Sequence, residues 1–234
     1  MQYVNIKLAI EDQIESGLLM PMQKLPAERK LAESFNTTRV TLREALSLLE
    51  SEGTIFREDR RGWFISPAPF RYDPSQLDAF EKIAKTQNRR AETKIQSFQT
   101  AMADKTATKL LKLEPFADVH VLDCLRYLEG RPVAYTTTYV RTDKAPSLEQ
   151  SQLEASSLAE VCQSQYGVRY SRLVYKVSTS AVTQELAHSL RATDGTPVLL
   201  VETTRYDQAG TAVDATIEYW RHDAVSIESM VDIN

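Results

Sequence analysis

With 234 residues, 42% of them hydrophobic and 26% charged, the chain has the composition of an ordinary globular protein of one or two domains. A formal net charge of −4 leaves no basic excess to hold nucleic acid by bulk attraction, so any such contact must come from a local basic surface. Cys124 and Cys162 stand without a CxxC or histidine spacing, which excludes a disulfide framework and a zinc site and suits small apolar fillers in a reducing cytoplasm.

Glu11 and Asp12 arrive before any long apolar run, so neither a signal peptide nor a membrane span is expected. Val4 or Ile6, then Ile10, Ile14 and Leu18 recur at helical spacing and predict a first amphipathic helix ending near Gly17. Pro21 and Pro26 interrupt the chain, and a second short helix follows with Glu28 in its first turn and Leu31, Ala32 and Phe35 inward. After the polar break Asn36-Thr37-Thr38, Thr38 is the N-cap of a third helix. That helix carries Leu42, Ala45, Leu46 and Leu49 on one face and stops at Gly53. Residues 54–57 and 63–65 then flank a charged tip, residues 58–62, as a β-hairpin would. Helix, helix, tight turn, helix, hairpin is the order of a winged helix-turn-helix.

Residues 66–74 hold three prolines and predict a semi-rigid linker. Beyond it lies a weak internal repeat. Residues 119–139 and 198–219 each read as a strand ending in Arg-Tyr (Arg126-Tyr127, Arg205-Tyr206), a turn bearing Gly130 or Gly210, and a second strand. Short helices over 106–113 and 183–190 precede the two copies. Two helix–hairpin units predict one antiparallel sheet with pseudo-two-fold symmetry and helices on one face. Between them Ser157 and Glu160 form a capping box for a helix running to Gly167.

On the third helix Arg39 and Arg43 lie four residues apart, opposite the Leu42–Leu46–Leu49 stripe, and Arg29 can reach the same side. The planar fork of arginine suits phosphate oxygens and the guanine O6/N7 edge alike. The run Leu25-Pro-Ala-Glu-Arg29, the run from Thr38 to Leu46 and the closing Glu52-Gly53 fall in the order and spacing of the GntR family of bacterial regulators, which this segment closely resembles. The resemblance implies DNA contacts by Arg29, Thr38, Arg39, Thr41, Arg43, Arg61 and the wing glycine Gly62. Met22 stands where the family often has glycine; in the wing, Arg60 also replaces a glycine and Trp63 a small residue. Glu58 and Asp59 beside Arg60 and Arg61 would oppose a phosphate contact there.

Residues 78–230 more loosely resemble the effector-binding (UTRA) domain of the HutC branch of that family, which shares its fold with chorismate lyase. The marks are the run from Arg126 to Pro132, Ser157-Leu158, Arg205-Tyr206-Asp207 with Gly210, and Val213, Asp214, Thr216, Tyr219 and Trp220 after it. The resemblance implies a pocket for a small anionic metabolite, a phosphonate or phosphate ester, touched by Arg126, Ser157, Asp214 and Trp220 and by a loop carrying Arg89 and Arg90. Cys124 and Thr136 stand where relatives often have arginine and glutamate, which lowers the positive charge expected in the pocket. On residue chemistry alone, Arg126 either reaches a ligand or extends to the rim. Ser157 caps a helix whose start also offers N–H groups to an anion. Asp214, where the first copy has Ala134, needs a partner in a ligand, in Arg205 or in Arg221.

The expected architecture is thus a mostly helical winged helix-turn-helix over 1–66, a linker over 67–77 and an α+β, chorismate-lyase-like domain with an antiparallel sheet over 78–234. The expected function is a cytoplasmic, homodimeric transcriptional repressor that binds double-stranded operator DNA under control of the effector, without cofactor, metal or membrane. The alternative is an enzyme of the chorismate-lyase fold with a helical N-terminal extension. No nucleophile–base pair or metal constellation supports it, and it leaves Arg29, Arg39 and Arg43 without a use.

Overall fold

The computed structural model describes residues 1–230. In chain order the elements are α1 (Gln2–Glu15), α2 (Glu28–Ser34), α3 (Arg39–Ser51), β1 (Ile55–Glu58), β2 (Gly62–Ile65), β3 (Phe70–Tyr72), α4 (Phe80–Thr86), β4 (Ala91–Met102) and α5 (Lys105–Leu111). They continue with β5 (Asp118–Leu128), β6 (Arg131–Arg141), α6 (Gln150–Ala155), α7 (Leu158–Tyr166), β7 (Tyr170–Ala181), α8 (Gln184–Leu190), β8 (Pro197–Asp207), β9 (Ala212–Arg221) and β10 (Val225–Ile227). Among the described residues no helix is long and apolar enough to cross a membrane.

Contacts divide the chain into two compact units. The first comprises Met1–Phe70 with Val182–Thr196 and His222–Ser226. Its core follows the helical periodicity: Ile6 and Ile10 of α1, Leu31 and Ala32 of α2, and Leu42, Ala45, Leu46 and Leu49 of α3 close on Ile55, Trp63 and Ile65 of the hairpin. The Thr38 side chain accepts the Thr41 N–H at 3.2 Å and starts α3 as its N-cap. The β1–β2 ladder runs from Ile55↔Ile65 to Glu58↔Gly62. The connection between Pro21 and Pro26, expected only as a break, lies along this hairpin: Met22 N–H donates to Ile65 O, and Leu25 N–H to Trp63 O, each at 2.9 Å. That protects the β2 edge. Met22 does so at φ 65°, a left-handed conformation that glycine would adopt without strain.

Helix α8 was expected to cover the sheet of the second domain. It belongs to the first unit instead, where Asp59 N–H donates to Arg191 O at 3.0 Å. Part of the expected linker is also ordered structure: Phe70 is fully buried, and residues 70–72 pair as β3 with β10.

The second unit comprises Arg71–Ala181, Pro197–Arg221 and residues 227–230. Its antiparallel sheet has the order β4-β5-β6-β9-β8-β7. The repeat is therefore strand–helix–hairpin rather than helix–hairpin, and each copy contributes a long outer strand. Glu129 and Gly130, both at positive φ, make the tight two-residue turn between β5 and β6. Helices lie on both faces, not one. Ala107 and Leu111 of α5 pack with Val119, Tyr139 and Ala215 on one face, while Val161 of α7 packs with Val140 on the other. The cause is the apolar or pairable side chains that β6 and β9 present on both sides, which leave neither face fit for water. Asp104 fixes α5 by accepting the Ala107 N–H at 2.7 Å and the Tyr139 hydroxyl at 3.0 Å.

Leu46 is fully buried at the centre of the first core. Leu46→Ala should lower unfolding stability by roughly 2–5 kcal/mol, checked by chemical denaturation.

Candidate functional sites

The first candidate surface belongs to α3. With Leu42, Ala45, Leu46 and Leu49 turned inward, Arg39 and Arg43 are left on the exposed face with Thr38 at the helix start. Arg43 is 66% exposed, and its Nε donates to Glu28 Oε2 at 2.8 Å. Glu28, at the start of α2, also accepts the Trp63 indole N–H at 3.2 Å on Oε1. Burial pushes the Glu28 carboxyl up, but its bonds to Arg43 and Trp63 more than offset this and hold it below the ordinary value. One carboxylate thus ties α2, the arginine of α3 and the hairpin together. Sequence reasoning missed it, because residues 15 and 35 positions away supply the partners.

Arg29 is equally exposed and pairs with Glu33 at 3.1 Å one turn on. In the wing, Arg61 pairs with Glu58, which is buried, and lies over the Phe64 ring at 5.5 Å. Glu58 was expected to repel a phosphate; its burial makes it an anchor for Arg61. Arg60, at φ 57°, is 92% exposed at the hairpin tip. Gly62 opens β2 at φ 100°, a conformation closed to most side chains. Lys24, Arg57, Arg60 and Arg61 line a shallow groove between the wing and the start of α2.

The second candidate is a cavity of about 520 Å³ in the second unit. Its floor is the face of the sheet carrying Ile95, Leu122, Cys124, Arg126, Thr136, Thr138, Thr216 and Arg205, and its walls are the start of α4 and the α6–α7 corner with Ser156, Ser157 and Glu160. Register explains the floor: Cys124 pairs across with Thr136, Leu122 with Thr138, and Thr138 with Thr216, so these side chains share a face.

Arg126 Nη1 donates to Glu218 Oε1 at 2.7 Å, and its guanidinium lies 5.2 Å from the Phe80 ring and 5.5 Å from that of Trp220. Burial alone would lower its pKa, but Glu218 raises it further, so the charge is held. Arg205 Nη1 donates to Asp214 Oδ1 at 2.6 Å, and Tyr170 donates its hydroxyl to Asp214 Oδ2 at 2.6 Å. Burial pushes the Cys124 thiol up to about 11, which suits an inert filler. Ser157 and Glu160 form the expected capping box, with Ser157 Oγ accepting the Glu160 N–H at 3.3 Å. The Leu158 and Ala159 N–H groups, in the first turn beside the cavity, have no intrahelical acceptor.

Of the residues the sequence put forward for a pocket, Arg126 and Ser157 line the cavity. Asp214 is wholly buried on the same face of the sheet as the floor but does not line the cavity, and its partner is Arg205. Trp220 is also wholly buried and packs against Phe80 and Tyr72. Arg89 pairs with Glu129 at 2.7 Å and Arg90 is exposed; neither lines the cavity. The lining residue Arg205 and the buried Glu218 were not anticipated as site residues. The repeat carried a signal for Arg205, since it occupies the place of Arg126 in the second copy.

A family model of bacterial regulatory proteins, gntR family, matches residues 2–65, and a UTRA domain model matches residues 86–226. The uncharacterised HTH-type transcriptional regulator YihL of Escherichia coli K12 is 32% identical over 226 residues, spanning 95% of this chain and 94% of its own. The HTH-type transcriptional repressor NagR of Bacillus subtilis is 28% identical over 230 residues, spanning 98% and 94%. Among solved structures, PhnF from Mycobacterium smegmatis superposes with a TM-score of 0.66 at 22% identity, covering 98% of this chain and all of that one, a likeness of fold alone. The matched families and relatives are transcriptional regulators rather than enzymes.

Removing Arg126 would strand the Glu218 carboxylate, which is 2% exposed, without its cation. Arg126→Ala should therefore destabilise the protein by about 3–5 kcal/mol, while Arg126→Ala with Glu218→Leu should recover most of the loss. Thermal and urea denaturation of the single and double variants check this.

Proposed function

The chain belongs to the GntR family of bacterial transcriptional regulators, a DNA-binding helix-turn-helix joined to a UTRA effector domain, and we propose that it is a homodimeric repressor released from or held on its operator by a small anionic metabolite. The observation that carries the DNA half is the exposed face of α3, where Thr38, Arg39, Thr41 and Arg43 stand at the start of a helix able to enter the major groove. Arg29 and the wing residues Arg61 and Gly62 complete the proposed contact set. A single recognition helix reads only a few base pairs, so useful specificity needs two heads on a two-fold symmetric site about one helical turn apart. The long outer strand β7, with Val174, Tyr175 and Val177 exposed, supports self-association through the second domain. DNA as the partner puts its place of action in the cytoplasm.

The effector reading rests on the cavity lined by Arg126 and Ser157. Its anionic group, a phosphate ester or phosphonate, is proposed to sit at the first turn of α7 against the Leu158 and Ala159 N–H groups, where the helix dipole favours negative charge. The domain limits that go with this reading are 1–66, 67–77 and 78–234, although α8 joins the first compact unit. The effector part of the chain thereby contributes directly to the packing of the DNA-binding unit.

Two outcomes test the proposal. Arg43→Ala should weaken binding to a site selected from random duplexes by roughly 1–3 kcal/mol and relax the preference at one base position. A uniform loss on all sequences with a flatter salt dependence would make Arg43 a phosphate contact instead. Titration of that duplex with a panel of phosphorylated, phosphonate and carboxylate metabolites should find one that shifts affinity by about 1–3 kcal/mol. A sedimenting monomer at micromolar concentration that binds a half-site one-to-one would overturn the dimeric reading.

A further inference from the structure

The exposed face of α3 carries one residue of a different chemistry from its neighbours. Val40, the second residue of the helix, is 69% exposed. At about 100° per residue it projects roughly 150–170° away from the Leu42–Leu46–Leu49 stripe, near the middle of the outward face. Glu44 and Ser47, one and two turns on, share that face and are exposed as well. The core therefore makes no use of Val40. Nor does the helix, since a β-branched side chain forms helix less readily than alanine.

The polar side chains around it are already engaged. Thr38 Oγ1 accepts the Thr41 N–H and lies 3.1 Å from Thr41 Oγ1, so the two hydroxyls satisfy one another. Arg43 is drawn by its Nε to Glu28 at the start of α2. A single apolar residue on a protein surface is ordinary. This one stands in the first turn of the recognition helix, where outward side chains meet base edges.

Valine has neither donor nor acceptor. Against a purine N7 or O6, or a cytosine N4, it would displace water and return no hydrogen bond, which costs free energy. Of the groups displayed in the major groove, the C5-methyl of thymine is the one that hydrocarbon matches. In a helix valine strongly prefers one χ1 rotamer, so its two methyls are placed before contact and little side-chain entropy is lost. We infer that Val40 is a specificity-determining residue of the DNA-binding unit: it packs on the C5-methyl of one thymine in each half-site and so selects a T·A pair there. The inference deepens the reading of α3 as the major-groove helix and rests on it.

The test uses the full chain and the duplex selected from random sequence, with each thymine of the half-site replaced in turn by uracil, which removes the methyl group alone. Replacing one particular thymine in both half-sites should weaken binding by about tenfold, roughly three- to fourfold for each methyl. On Val40→Ala the uracil and thymine duplexes should bind within about 1.5-fold of each other, because the partner of the methyl is gone. Thermal unfolding of Val40→Ala should match that of the unsubstituted protein, since the residue lies outside the core. The inference is overturned if no uracil replacement weakens the unsubstituted protein by about twofold or more, or if Val40→Ala keeps the same sensitivity. Failure of the underlying reading has a separate signature: a chain that prefers no duplex over random DNA would overturn the role of α3 itself, and the inference with it.

Discussion

Two carboxylates buried in the middle of a sheet govern much of the second unit. Asp214 and Glu218 both lie on β9, a central strand, and neither has access to water. An unpaired charge there would be untenable, so each must meet a cation at short range. Asp214 finds Arg205 directly across the β8–β9 ladder, and Glu218 finds Arg126 two strands away. A slip of one residue in either ladder would turn the partners to opposite faces, so the ion pairs and the strand register fix each other. Arg126 in turn gathers Tyr72, Phe80 and Trp220 around its guanidinium, which seats β3 and the start of α4 against the sheet. The cavity exists because these elements are held at its edge by aromatic and ionic contacts instead of collapsing onto its floor.

The internal repeat shows how a near-symmetric sheet acquires one site. Its two halves meet at the β6–β9 pair, and corresponding strands run outward to β4 and β7. The copies diverge in one buried side chain and in the placement of their helices. Asp214 replaces Ala134, which gives only one half a buried acid at that position. Helix α5 is fixed on the sheet through Asp104 and Tyr139, whereas its counterpart α8 packs within the first unit. Sequence similarity between the copies preserves the strands and the turn glycines; the helices are free to serve different surfaces.

In the first unit a single side chain has an analogous part. Glu28 joins the arginine of the third helix to the indole of the wing, so the orientation of Arg43 and the position of the hairpin are coupled through one carboxylate. Trp63 supplies both a donor to Glu28 and a buried ring in the core. Through Trp63 the hairpin is tied to Glu28 and, by way of that carboxylate, to α3.

The sequence by itself determined the winged helix-turn-helix, because its signals are local: helical spacing of Leu42, Ala45, Leu46 and Leu49, the Thr38 cap and the hairpin pattern all act within a few residues. It likewise determined the two inner hairpins, the capping box at Ser157 and the family to which the chain belongs. It did not reveal β4 and β7, since outer strands exposed on both sides carry polar residues and lose the alternation that marks a half-buried strand. Nor could it assign partners to Arg126, Glu28 or Asp214, or send α8 to the first unit. Those are contacts between residues 9 to 92 positions apart or between elements, and only the folded chain brings them within hydrogen-bonding distance. The cavity floor was decided at that level: two arginines far apart in sequence meet on it, each paired with a carboxylate of β9.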